Sequence, residues 1–254
     1  MCLLIVLSRV VPGLPLVVVA NRDERLDRPA ASMVVLREGD PRTLGGRDLA
    51  GGGTWLAANE RGVVAGLTNR PLVDGADPAK RSRGELPLAL TAHGSARAAV
   101  TAFVGEHRPG DYNPAWLLVG DRDALFSIDM TGSPLATVAE LGPGIHVLEN
   151  RPLGEASVKI DHVRRLLGDV EGLPAEEVIR RLEVAAADHD VPVPPPGVPP
   201  ERVPLAAPCG HIAGYGTRWS GIVTVPADRL APPTFRYTDG PPCEHPYLVA
   251  DSLW

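Results

Sequence analysis

Lysine is almost missing from this chain. Only Lys80 and Lys159 occur in 254 residues, so arginine supplies nearly all the positive charge. The skew accompanies a sequence-wide preference for Arg, Ala, Gly and Pro and reads as genomic composition. Acidic residues still outnumber basic ones, and a net charge of −6 argues against a nucleic-acid binder working through a broad basic surface. Cysteine is scarce as well: Cys2, Cys209 and Cys243 are too few to frame a secreted disulfide scaffold. What remains is ordinary for a globular protein. Hydrophobic residues at 44% and charged residues at 22% exclude a highly charged disordered chain. The length supplies ample material for a core, in one large domain or two small ones.

No apolar run is long enough to cross a bilayer. Residues 3–20 come closest, but Arg9 and Pro12-Gly13-Leu14-Pro15 divide them. No basic segment precedes the first run, as a signal peptide would require, so the chain is expected to be soluble and cytoplasmic. The run lengths, β-branched content and Pro-Gly punctuation predict a hairpin over residues 3–8 and 16–20. Near-continuous apolarity predicts strands covered on both faces. A second hairpin is predicted at 54–58 and 63–68, around Asn59-Glu60-Arg61-Gly62. Residues 82–92 and 95–107 read as helices parted near Gly94, with Ser82 as N-cap and Glu85 at the capping-box position. Short strands are expected at 115–120, 124–130, 134–139 and 144–149. Helical spacing returns at 156–168 and 174–188, where Val158, Ile160, Val163, Leu166 and Leu167 supply an apolar face to the first. The Pro-rich segment 191–208 reads as an irregular crossing. Strands near 221–226 and 233–238 close the chain. Clustered strands and paired helices predict a layered α+β domain rather than alternating βαβ units.

The chemistry concentrates at the amino terminus. Removal of Met1 would leave Cys2 with a free α-amine, whose ordinary pKa of about 7.7–8.0 suits it to act as a base for its own side chain. Positive charge nearby would favour the thiolate, and Arg9 and Arg22 are the candidates once the hairpin folds back. The plainer reading is that Cys2 starts a buried strand and packs as a small hydrophobe. Asn21-Arg22-Asp23-Glu24 ends the second predicted strand and therefore lies near Cys2. Arg22 is suited to orient a carboxyl or carbonyl group, and Asp23 to hold the α-amine. The same segment also reads as a solvated corner with an Arg-Asp pair, worth about 0–1 kcal/mol if exposed.

Met-Cys-Leu at the start, Asn21-Arg22-Asp23-Glu24 before Arg28-Pro29, and Gly46-Arg47-Asp48 before Gly52-Gly53-Thr54-Trp55-Leu56 resemble the NRDE family. The likeness continues through Leu67-Thr68-Asn69-Arg70, Ser82-Arg83-Gly84, Tyr112-Asn113 and Tyr215-Gly216-Thr217-Arg218, covering most of the chain. More distantly, Cys2 with Arg22 and Asp23 is similar to the choloylglycine hydrolase and penicillin V acylase group, amino-terminal nucleophile hydrolases that cleave linear amides. That resemblance implies a four-layer αββα sandwich in one domain over 1–254, with the nucleophile on an edge strand. It also implies catalytic roles for Cys2, Arg22, Asp23, Asn69, Asn150 and Arg218. Asn69 and Asn150 would stabilise the oxyanion, and both also read as turn residues beside Gly or Pro. The spacing around Arg22 and Asp23 departs from the hydrolases, where a residue separates comparable positions. With only 4% aromatic residues, no stretch announces a bile-acid or aryl pocket.

The NRDE resemblance also implies an alternative function: a carrier of haem, or of acyl-CoA or lipid, that keeps the hydrolase pocket without using it. Arg22, Arg47, Arg70 and Arg83 would rim such a cleft, with Asn21 a further binding residue. No cofactor is expected for hydrolysis, and the lack of a Cys-x-x-Cys-His motif argues against covalent c-type haem. Cys209-Gly210-His211 and Cys243-Glu244-His245 would make a tetrahedral site if they met. Their one-residue spacing is not that of a common zinc knuckle, and the cysteines equally permit a disulfide or two unrelated surface thiols, so no metal is expected. His93, His107 and His189 fall at predicted helix ends, where a histidine caps or meets the dipole. Gly51-Gly52-Gly53 matches no phosphate loop and is expected to permit a tight approach near the amino-terminal site.

Overall fold

The amino-terminal hairpin organises the structure. In a computed structural model describing residues 2–132 and 134–254, it forms β1 (Leu3–Val11) and β2 (Leu14–Arg25). Side chains alternate along both strands, as period-two geometry requires. Leu4, Val6, Val18 and Ala20 enter one apolar cluster, whereas Leu3, Ile5, Leu7, Val17 and Val19 enter another. Both faces are thus buried, which explains the uninterrupted Leu-Ile-Val run.

Two antiparallel sheets of seven strands result. The first runs β10 (Gly144–Leu148), β1, β2, β12 (Tyr215–Val225), β13 (Thr234–Thr238) and β14 (Tyr247–Val249), with short β11 (His211–Ile212) beside β12. The second follows chain order: β3 (Ala30–Arg37), β4 (Thr43–Asp48), β5 (Leu56–Asn59), β6 (Val64–Asn69), β7 (Ala115–Gly120), β8 (Leu125–Asp129) and β9 (Thr137–Leu141). Helices α1 (Glu85–Leu90) and α2 (Ala96–Glu106) pack on the second sheet through Leu86, Leu90, Ala99 and Phe103. Helices α3 (Val158–Leu167) and α4 (Ala175–Ala187) cover the first through Ile160, Val163, Val178 and Leu182. The layers are therefore helix, sheet, sheet, helix, as expected. Among the described residues, no helix is long and apolar enough to cross a membrane.

Several expectations need correction. β1 is not an edge strand, because β10 pairs along its outer side from Leu4 to Ser8. Gly84 rather than Ser82 occupies the N-cap of α1, with no side-chain cap. Glu85 is drawn away instead by the Tyr112 hydroxyl, which donates to it at 2.5 Å, and by Arg81. The buried face of α3 is rotated from the apolar one, so that Lys159 and His162 are buried with Ile160, Val163 and Leu167. Part of the Pro-rich crossing, Pro200–Ala206, coils into a 3-10 helix.

Candidate active site

Cys2 precedes β1, and the pairing of Leu3 with Asn21 brings it beside Arg22 and Asp23. The Asp23 main-chain N–H donates to its sulfur. Cys2 is 8% exposed and opens into a cleft of about 600 Å³. Burial pushes its thiol up, the Asp23 charge reinforces that shift, and Arg22 opposes it. Asp23 also faces the cleft. Its carboxylate accepts a 2.6 Å hydrogen bond from the Thr217 hydroxyl, and the Tyr215 hydroxyl donates to its main-chain oxygen at 3.0 Å. Both partners belong to β12, which pairs with this end of β2.

The opposite wall is built across the two sheets. Asn69 ends β6 in the second sheet, and Asn150 lies just beyond β10 in the first. The residues immediately before them are joined, because the Thr68 hydroxyl donates to the Glu149 carbonyl at 2.9 Å. Asn150 Nδ2 then donates to the Asn69 carbonyl at 2.5 Å. Both asparagines line the cleft, and neither side-chain Oδ1, although buried, has a partner among the described residues. A buried polar atom left this way costs about 1–3 kcal/mol, so these two acceptor oxygens are suited to a ligand group that donates a hydrogen bond, such as an amide N–H.

Arg83 reaches the cleft because two backbones touch. A Cβ on Gly53 would lie 2.3 Å from the Gly84 carbonyl carbon, and Thr54 N–H donates to Gly84 O at 2.9 Å. The expected tight approach of the glycine run is this contact. Burial holds the Arg83 guanidinium below its ordinary pKa, with the Cys2 and Glu24 charges acting in the other direction.

The other predicted arginines and Asn21 do not join these groups. Arg22 is 4% exposed, 2.9 Å from the Asp48 carboxylate and stacked over Trp55 at 4.5 Å. Arg218 lies at a bulge in β12 and donates to the carbonyls of Arg25 and Arg28. Asn21 points into the helical layer, donating to Ala186 O at 2.8 Å and Pro208 O at 3.0 Å. Arg47 donates to Leu36 O at 3.2 Å, and exposed Arg70 stands outside the lining. Arg9 is at the far end of β1, bound to the Asp123 and Leu141 carbonyls. Met1, whose removal would free the Cys2 α-amine, lies outside the described residues. In their place the cleft gains Glu24, Arg28, Arg202, Leu205, Ile212 and Tyr215. Tyr215 begins the Tyr215-Gly216-Thr217-Arg218 motif, whereas nothing in the Pro-rich segment marks Arg202 or Leu205. Farther along, Cys209, His211 and Cys243 do meet, but His245 does not join them. Its ring packs against Gly240, and His189 occupies the fourth position.

Two antiparallel sheets between helical layers make the αββα sandwich of an amino-terminal nucleophile hydrolase fold. The chain superposes on a Caenorhabditis elegans N-acylethanolamine-hydrolyzing acid amidase ortholog with a TM-score of 0.55, covering 87% of this chain and 92% of that one at 14% identity. A conjugated bile acid hydrolase from Clostridium perfringens gives 0.52, with 99% and 93% coverage at 12% identity. At these identities the likeness concerns the fold alone. A family profile for Transport and Golgi organisation 2 matches residues 1–231, and the chain belongs to that family. The mouse Transport and Golgi organization 2 homolog is 28% identical over 232 residues, covering 84% of this chain and 83% of its own. The human homolog is 29% identical over the same length and coverage.

Proposed function

We propose that this protein is an amino-terminal cysteine hydrolase of a small amide or acyl compound, competent once Met1 is removed. The observation that carries the proposal is the convergence of Cys2, Asp23, Asn69 and Asn150 on one cleft. The Cys2 thiol, which burial keeps protonated at rest, passes its proton to its own α-amine and attacks the acyl carbon. Asp23 holds that amine, and the Asn69 and Asn150 amides receive the developing oxyanion. The C–N bond breaks as the ammonium returns the proton to the leaving amine. Water then cleaves the thioester, releasing the acid and restoring the thiol. Hydrolase names on two proteins of the same fold support this class. Leu205 and Ile212 provide an apolar wall, while Arg83 and Arg202 favour an acyl group carrying a negative charge.

The same wall would accept haem or acyl-CoA as cargo. That alternative is less favoured, because Arg22 and Arg47 of its expected rim are engaged elsewhere and the cleft residues include no histidine ligand. The test uses protein whose amino terminus is read by intact mass. An activated acyl probe should label Cys2, Cys2→Ala should abolish labelling and turnover, and Asn69→Ala should lower kcat by about 10²–10³-fold. Equal labelling of wild type and Cys2→Ala, or quantitative retention of Met1, would sink the hydrolase. Saturable haem or acyl-CoA binding that survives Cys2→Ala, without turnover, would establish the carrier instead.

A further inference from the structure

Three separate segments converge behind the cleft. His189 follows α4, Cys209 and His211 flank Gly210 at the start of β11, and Cys243 lies between β13 and β14. One ligand atom from each residue lies within 4.8 Å of the other three. His211 Nε2 is 3.3 Å from Cys209 Sγ and 3.5 Å from Cys243 Sγ. Zinc–sulfur bonds of about 2.3 Å and zinc–nitrogen bonds of about 2.0–2.1 Å place tetrahedral sulfur and nitrogen ligands about 3.6 Å apart. The two edges formed by His211 already have nearly that length.

The second histidine is oriented for the same purpose. His189 Nδ1 donates to the Cys209 carbonyl at 2.7 Å, which fixes the tautomer and leaves the Nε2 lone pair for a metal. A metal-binding histidine characteristically makes this outer hydrogen bond to a carbonyl or carboxylate. The one-residue spacing, unpromising in the sequence, is suited to an extended segment, where residues two apart face the same side. Gly210 lies between them because a Cβ there would come 2.6 Å from the Pro204 carbonyl oxygen. The Cys209 N–H is anchored on Asp188 O at 2.8 Å, tying this turn to the residue before His189.

We propose that His189, Cys209, His211 and Cys243 bind one zinc ion in a closed, structural site. Two thiolates and two imidazoles in tetrahedral array suit zinc, and four protein ligands leave no position for substrate. The site acts on the cleft through its neighbours. Thr217 N–H donates to Gly210 O at 2.8 Å, and Gly210 N–H donates to Thr217 Oγ1 at 3.1 Å. That hydroxyl is the one that donates to Asp23. Zinc therefore fixes the turn that positions β12 against the Cys2 site, whether or not the cleft hydrolyses anything. Cys243 lies beyond residue 231, where the family match ends, so the site depends on this chain's own carboxyl-terminal segment.

The test is metal analysis of reduced full-length protein reconstituted with zinc and passed over a desalting column. One equivalent should remain, and cobalt substitution should give visible tetrahedral d–d bands with near-ultraviolet thiolate charge transfer. Cys243→Ser and His189→Ala change exposed positions, so the fold should survive while metal content falls to near zero. His245→Ala should retain the full equivalent. Chelation should lower the Tm of wild type and leave that of Cys243→Ser unchanged. The proposal is overturned if reconstituted wild type holds no stoichiometric zinc, or if cobalt binds without thiolate charge transfer. Equal metal loss in His245→Ala and Cys243→Ser would also overturn it.

Discussion

Replacing Arg22 by methionine separates a structural role from a catalytic one. Arg22 is 4% exposed, with its guanidinium 2.9 Å from Asp48 and 4.5 Å from the Trp55 ring centroid. Removing one member of a buried pair costs about 3–5 kcal/mol when its partner is left bare. Asp48 would not be bare. It keeps Arg28 at 2.7 Å and the N–H groups of Ala50 and Gly51 at 3.0 and 2.8 Å. The pair term therefore falls to the low end, loss of a desolvated cation–π contact adds up to about 2 kcal/mol, and the methionine regains apolar contact with Trp55. The net expectation for Arg22→Met is a loss of about 2–4 kcal/mol, or a Tm drop of roughly 5–15 °C at this chain length. Urea and thermal unfolding of Arg22→Met, Asp48→Asn and the double variant measure the loss and the coupling. Iodoacetamide labelling of Cys2 in the folded variant should slow without vanishing, since Arg22 contributes charge rather than contact. A destabilisation below about 0.5 kcal/mol would refute the buried-pair argument. Abolished labelling in a fully stable variant would return Arg22 to the cleft.

Two glycines should respond with opposite signs. Gly53→Ala places a methyl 2.3 Å from the Gly84 backbone, which cannot yield as a side chain would, and should cost about 1–3 kcal/mol or more. Gly105→Ala, exposed in α2 with nothing within 4 Å, should stabilise by up to about 1 kcal/mol; equal effects in denaturant titrations would contradict both. His107 supplies a pH prediction. Burial, aided by the Arg81 charge, holds its pKa below the ordinary 6.5, so the unfolded chain binds the proton more readily. Its contribution is complete above about pH 6.5 and is lost as pH falls below that value. His107→Gln should flatten this part of the pH–stability curve, and an unchanged slope would refute the assignment.

The sequence made local geometry legible and long-range choices illegible. The β1–β2 hairpin follows from β-branched runs around Pro-Gly, and its burial on both faces follows from the absence of alternation. Strands β3 and β4 are less evident, because ASMVVLR and TLGGRD lack a clear period-two pattern and are shaped by their pairing. In the site, Cys2, Asp23, Asn69 and Asn150 follow from motif order. Arginine provides the contrast: Arg22 and Arg83 sit in equally suggestive motifs, yet only Arg83 lines the cleft. Strand alternation turns Asn21 toward the helices and Arg22 toward the other sheet, where Asp48 engages it. No local signal states which distant carboxylate an arginine will meet. His189 and His245 make the same point, since the histidine nearer to Cys243 in sequence is the one that turns away.

The hydrogen bond from Asn150 to Asn69 gives the cleft a mechanical character. Its donor, the Asn150 side-chain amide, and its acceptor, the Asn69 main-chain carbonyl, belong to segments of different sheets, so a slide of one layer past the other strains this contact directly. A ligand held by both amides would act as a shear pin. Its occupancy should slow hydrogen exchange in β6 and β10 together, linking two strands that share no backbone pairing.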